Sequence, residues 1–183
     1  MALSIAFLGR GGQGIVFAAE VVAETFFRMG MYVAQMQSYG AEVRGGSVLA
    51  YVVVDEKPIE NPFVESFSIA IALHDAGVRR WRRHVENTAI VLYDSDLAKS
   101  LEGLGNAIPI PIARKCMERG VGGRENIAAI GLLTNLVIDR ETVVEILRSR
   151  RDFEKNLRAL EIGIELSRGI DRERLDKALR KQR

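Results

Sequence analysis

Residues 4–19 read SIAFLGRGGQGIVFAA. The apolar run Ile5–Leu8 enters a segment with glycine at positions 9, 11, 12 and 14, and the apolar stretch Ile15–Phe27 that follows has helical rather than alternating spacing. That order predicts a strand, a tight glycine turn and a helix. Glycine suits such a turn because it reaches positive φ and keeps side chains away from whatever approaches the backbone. The helix start then presents free N–H groups and the positive end of its dipole to an anion.

Outward from this stretch, segments of the two kinds keep alternating. Met31–Gln37 reads as a second strand, followed by the turn-rich SYGAEVRGG, and Ser47–Val54 as a strand dense in β-branched residues. Phe67–Leu73 and Thr88–Tyr93 are continuous apolar runs, the signature of buried parallel strands. Arg79–His84 fits a short helix, and Ala107–Ile112, with two prolines, a short edge strand. Helices are expected over 112–119, over the strongly apolar 125–137, over 141–150 capped by Asp139, and from Asp152 through Leu166. A last charged helix is expected from Asp171. The pattern predicts a three-layer α/β fold: a mostly parallel, Rossmann-like sheet with helices on both faces and a helical C-terminal tail, all within one domain spanning 1–183.

Composition narrows the function classes. The 183 residues are 48% hydrophobic and 27% charged, which fits a soluble globular chain, and the net charge of +2 is too small to argue for nucleic acid. No apolar run reaches the length of a membrane span, and the N-terminus lacks the layout of a signal peptide, so a cytoplasmic protein is expected. One cysteine, Cys116, excludes an internal disulfide or an iron–sulfur cluster of the chain's own. His74 beside Asp75 reads as polar loop residues rather than a dyad, and His84 has no evident partner. The cluster Arg79, Arg80, Arg82 and Arg83 around Trp81 has too few aromatics for RNA and suits a solvated face or an acidic partner. Met29, Met31 and Met36 read as packing residues.

Gly9, Gly11 and Gly14 also satisfy G-x-G-x-x-G, the dinucleotide fingerprint. A nicotinamide site wants an acidic residue about 20 positions further on, where Gln35, Gln37 and Ser38 stand instead. A stand-alone NAD(P) oxidoreductase therefore remains only an alternative, and tight strand–helix packing explains the glycines equally well. The second cluster, Tyr39 to Gly46, tells more. Loops at the carboxyl ends of strands in an open parallel sheet share one edge, which predicts that Gln13 and Arg44 are neighbours. Arg44 carries five donors suited to a phosphate, a carboxylate or an acidic partner.

Gly9-Arg-Gly-Gly-Gln-Gly14 followed by Tyr39-Gly-Ala-Glu-Val-Arg-Gly-Gly46 resembles the gamma subunit of 2-oxoacid:ferredoxin oxidoreductases. Asn126-Ile-Ala-Ala-Ile-Gly131 and the Ile-Pro alternation before Ile112 are similar to that family too, and the likeness runs from about Ser4 to Ile164. One departure is Ser68, where the family often carries aspartate. The resemblance implies an assembly that oxidatively decarboxylates a 2-oxoacid, forms an acyl-CoA and reduces ferredoxin, with the 2-oxoglutarate or branched-chain type favoured. Thiamine diphosphate, Mg, iron–sulfur clusters and CoA would belong to the complex of alpha, beta and ferredoxin-like delta subunits. This chain would carry no catalytic or metal residue. It would offer Gly11, Gly12, Gln13, Gly14 and Arg44 to a CoA phosphate or a subunit contact, and Tyr39, Arg44, Gly45 and Gly46 to a partner.

Overall fold

The computed structural model describes residues 2–42, 45–173 and 177. Along the chain run β1 (Leu3–Arg10), α1 (Ile15–Arg28), β2 (Tyr32–Tyr39), β3 (Ser47–Asp55), β4 (Ile69–Ala72), α2 (Asp75–Arg80), α3 (Arg82–Glu86) and β5 (Ile90–Asp94). After a 3-10 turn at Lys99–Leu101 come β6 (Ala107–Ile110), α4 (Ile112–Glu118), α5 (Glu125–Thr134), α6 (Arg140–Arg148) and α7 (Phe153–Ser167). The six strands lie in the order β2-β3-β1-β4-β5-β6.

The sheet is mixed. β1, β4, β5 and β6 pair in parallel, whereas β3 runs antiparallel to both β1 and β2. Only residues 40–46 separate β2 from β3. That is too short for the crossover a parallel neighbour requires, so the chain must double back as a hairpin. The carboxyl ends of β1, β2, β4, β5 and β6 consequently share one rim, and β3 alone points the other way.

Alternation along the strands assigns the two faces. Ile5 and Phe7 of β1 and Ile69 and Ile71 of β4 face the larger core with α1, α4, α5, α6 and α7. Ala6, Leu8, Ala70 and Ala72 face a smaller core with Phe67, Val78, Val85 and Leu101. The larger core thus lies on the face covered by α1 and α4 to α7, and the smaller one on the face covered by α2 and α3. α5 is buried from Asn126 through Leu133, as its all-round apolarity predicts.

Several details depart from expectation. The apolar helix stops at Thr134 rather than continuing to Val137, α6 ends at Arg148, and the basic segment 79–84 breaks at Trp81 into two short helices. Asp139 caps α6 as expected, accepting from Thr142 N at 2.7 Å. Asp152 does not cap α7: it adopts φ 58°, and its carboxylate turns to Arg124. Met29 is exposed, although Met31 packs on the larger core and Met36 on the smaller. His84 does have a partner, its ring stacking on Phe67 with centroids 6.1 Å apart. Ser68 clasps Ser4, each backbone N–H donating to the other's hydroxyl at 3.0–3.1 Å, so the short side chain pins the starts of β1 and β4 together. The helix expected from Asp171 falls largely outside the described residues.

Candidate functional site

The glycine turn is stapled at both ends. Gln13 Oε1 accepts the Arg10 N–H at 2.8 Å, and Gln13 Nε2 donates to Leu73 O at 3.4 Å, which ties the turn to the end of β4. Gly14 stands at φ 69°, the left-handed region, immediately before α1 and offers no side-chain cap. A side chain at Gly14 would in addition overlap Asn126, whose Nδ2 donates to Gly14 O at 3.3 Å. Asn126 therefore anchors the start of α5 to the start of α1.

The second glycine cluster folds onto the first. Gly11 N–H donates to Gly46 O at 2.8 Å, and Gly40 N–H to Ser47 O at 2.8 Å, closing the 40–46 hairpin against the turn. The Glu42 carboxylate lies over Gly40 and Gly46, in the space a Cβ on either would fill. The two loops thus meet at the rim, as expected, through the Gly11–Gly46 backbone hydrogen bond. Gln13 is committed inside the turn; Arg44 lies outside the described residues. A cleft of about 410 Å³ opens where they meet, lined by Arg10, Gly11, Gly12, Gly45, Leu97 and Glu125. Tyr39, at the end of the edge strand β2, is 57% exposed, and Gly45 is exposed as well.

The polar groups along the rest of the rim are engaged structurally. His74 Nδ1 accepts from Ala76 N at 3.1 Å and caps α2, while burial and then the nearby Arg10 push its pKa down. Burial works against the charge of Asp75, but hydrogen bonds from Ser100 Oγ (2.6 Å) and Ser100 N (3.0 Å) outweigh it and hold the carboxyl below its usual range. The two neighbours turn to different partners and form no dyad. Cys116 is buried, and desolvation, followed by the charges of Glu125 and Asp94, pushes its thiol up to about 12. Among the described residues no group of three His, Cys, Asp or Glu could hold a metal ion, and no helix is long and apolar enough to cross a membrane.

Topology also weakens the nicotinamide alternative. β3 stands between β1 and β2, so the end of β2 lies two strand spacings, roughly 9–10 Å, from the glycine turn rather than one.

Comparison with known proteins agrees with the geometry. Residues 4–166 match the family model described as pyruvate ferredoxin/flavodoxin oxidoreductase. The 2-oxoglutarate synthase subunit KorC of Archaeoglobus fulgidus is 35% identical over 170 residues, covering 92% of this chain and 89% of that one. The ketoisovalerate oxidoreductase subunit VorA of Methanothermobacter thermautotrophicus is 26% identical, but there the match spans only 35% of the relative. Among solved structures, the keto/oxoacid ferredoxin oxidoreductase gamma subunit of Geobacter sulfurreducens superimposes with a TM-score of 0.74 at 26% identity, covering 92% of this chain and 99% of that one. The 2-oxoglutarate:ferredoxin oxidoreductase of Magnetococcus marinus, solved with 2-oxoglutarate, coenzyme A and succinyl-CoA bound, shares the fold with a TM-score of 0.83 at 22% identity over 32% of its chain. With both glycine clusters joined at one rim and the match running nearly end to end, the chain belongs to the pyruvate ferredoxin/flavodoxin oxidoreductase family, as a gamma-type subunit of the 2-oxoacid:ferredoxin oxidoreductases.

Proposed function

We propose that this chain, as one gamma-type domain, is the assembly subunit of a cytoplasmic oxidoreductase that converts 2-oxoglutarate and CoA to an acyl-CoA and CO2 while reducing ferredoxin. The observation that carries this is the Gly11–Gly46 hydrogen bond, which fuses two side-chain-poor loops into one exposed backbone surface at the sheet rim. The similarity to KorC over nearly the whole chain supports the 2-oxoglutarate type ahead of the branched-chain type. Thiamine diphosphate with Mg and the iron–sulfur clusters are assigned to the alpha, beta and ferredoxin-like delta chains. The single buried, high-pKa cysteine of this chain does not fit a cluster. Co-purification of this chain with cluster- and thiamine-carrying chains, and CoA-dependent reduction of ferredoxin with 2-oxoglutarate, are expected. A complex that turns over 2-oxoisovalerate faster would overturn the substrate assignment, and a chain that stays alone would overturn the assembly role.

The rim separates the partner contact from fold stability. A Cβ on Gly11 would touch Gly45 only at ordinary van der Waals distance, 3.5–3.6 Å, and its φ lies outside the left-handed region. Gly11→Ala is therefore expected to leave the unfolding free energy of the isolated chain, measured in urea, within about 0.5 kcal/mol of the parent. The same change is expected to weaken co-purification with the other subunits. Normal assembly would place the docking surface elsewhere.

The same rim is proposed to help hold a CoA phosphate, with Gly12, Gly14 and the uncapped start of α1 supplying N–H groups and Arg44 the charge. In the assembled enzyme, Arg44→Ala is expected to raise the KM for CoA about tenfold, with kcat at saturating CoA little changed. An unchanged KM removes Arg44 from the site.

A further inference from the structure

The two edges of the sheet are built differently. β6 is four residues long and carries Pro109, whose nitrogen has no proton to donate, which blunts an edge against other strands. β2 is eight residues long, reads YVAQMQSY, and contains neither a proline nor a charge. An edge of that kind is a template for pairing with another chain. Exposed apolar side chains gather along it as well: Tyr32 and Tyr39 at its two ends, and Phe27 and Met29 just before it.

The register with β3 determines which backbone groups of β2 are free. Gly40 N–H donates to Ser47 O, and the same register continues unbroken from Tyr39 opposite Val48 to Tyr32 opposite Asp55. Antiparallel pairs alternate between bonded and non-bonded, so Ser38, Met36 and Ala34 turn their N–H and C=O groups to β3. Val33, Gln35, Gln37 and Tyr39 turn theirs outward, and among the described residues no strand lies beyond β2. These four are placed symmetrically about Met36. A second β2 running antiparallel, with Met36 on a two-fold axis, sets Val33 against Tyr39 and Gln35 against Gln37, twice over. Every outward residue then exchanges its N–H and C=O with the other strand, whereas a shift of register in either direction leaves at least one unpaired.

The side chains agree with that register. Val33 packs on the larger core and Met36 on the smaller, which assigns the faces. On the α1 face Val33 meets Tyr39 and Gln35 meets Gln37. On the other, Ala34 meets Ser38 and Met36 meets the Met36 of the second copy. No like charges are opposed, and each end gains an aromatic–β-branched pair. α1 packs across β1, β2 and β3, so it is centred on β3 and set back from the edge. The two α1 axes would stand roughly 14 Å apart, three strand spacings, which exceeds a helix diameter of about 12 Å.

We propose that two copies of this chain join through β2, antiparallel about Met36, into one continuous sheet. Self-complementarity selects a second copy over any other strand, and the isologous contact closes after two copies, so the open edge is used up. The inference does not rest on the oxidoreductase reading, because it uses only the outer strand and no group of the glycine turn.

The test is sedimentation equilibrium of the full chain across the micromolar range, with two variants that differ in the sign of one charge. The parent is expected to dimerise. Q35K/Q37K opposes lysine to lysine twice and is expected to weaken the dimer about tenfold. Q35K/Q37E opposes lysine to glutamate and is expected to keep the parental affinity or exceed it. Should Q35K/Q37K fail to fold, amide exchange in the parent decides: the amides of Val33, Gln35, Gln37 and Tyr39 are expected to gain protection as concentration rises. A monomeric parent, a dimer indifferent to Q35K/Q37K, or equal weakening by both variants overturns the proposal. Protection of those four amides only when a different protein is added assigns the edge to that protein and overturns it too.

Discussion

Gly163→Ala is expected to destabilise the chain by about 3 kcal/mol or more, lowering its urea midpoint steeply. In an ordinary helix interior the same change would stabilise by about 1 kcal/mol, so the sign is decided by packing. α5 and α7 cross with glycine on both sides of the contact. A Cβ on Gly163 would overlap the Ala128 carbonyl and lie 2.8 Å from the Gly131 Cα, while one on Gly131 would overlap the Leu160 carbonyl. These obstacles are backbone atoms of two helices packed together in the larger core, which cannot separate without opening it around Ile127, Ile130 and Leu160. Gly105→Ala supplies the control, because nothing lies within 4 Å of that Cβ position and its φ is ordinary. It is expected to be neutral or slightly stabilising. If Gly163→Ala unfolds at the same urea concentration as Gly105→Ala, the close helix crossing is wrong.

Asp94→Ala is expected to cost about 3–5 kcal/mol. Asp94 is completely buried at the end of β5, and its carboxylate accepts three backbone N–H groups, from Asp96 and Leu97 at 2.9 Å and from Ala113 at 2.6 Å. Removal would leave these three donors without their side-chain acceptor. Asp94→Asn retains one oxygen but places an amide against one of the donor sites, so an intermediate loss is expected. Burial, the largest influence, pushes the Asp94 pKa up, and the three hydrogen bonds only partly oppose it. The sign for stability follows by linkage. The folded chain holds this proton more tightly than the unfolded one, so the contribution is fully present below the unfolded carboxyl value, about 3.9, and is lost as pH rises through the raised folded value. Relative to Asp94→Asn, the parent is therefore expected to lose stability as pH climbs through that window and to level off above it. Urea midpoints measured at several pH values for both proteins check this; a parent that instead gains on Asp94→Asn through the window would show that the hydrogen bonds outweigh burial.

Both residues lie outside the motifs that pointed to the family, and the contrast is informative. Gly11, Gly46 and Asn126 belong to local patterns that could be recognised as strings. Gly163 sits in an unremarkable helical segment, and its requirement comes wholly from a second helix some thirty residues earlier. Asn126 and Gly131 were legible as a motif, but their separate tasks were not: one ties α5 to the Gly14 carbonyl at 3.3 Å, the other admits α7. Asp152 shows the opposite failure. Its position before an apolar helix predicts a cap, yet the carboxylate finds a stronger partner in Arg124, a residue 28 positions away.

By itself the sequence determined the order of strands and helices, which runs are buried on both sides, and the strand–turn–helix unit around Gly9–Gly14, because hydrophobic period, β-branching and glycine act over a few residues. It also held the signal for the antiparallel β3, since the seven residues of 40–46 cannot cross over a sheet. Only the tertiary structure decided that β3 separates β1 from β2, that Gly11 bonds to Gly46, and that Asn126 ties the start of α5 to Gly14. Those outcomes depend on which elements come to lie side by side. Period and propensity do not encode that adjacency; the packing of the whole sheet and its helices does.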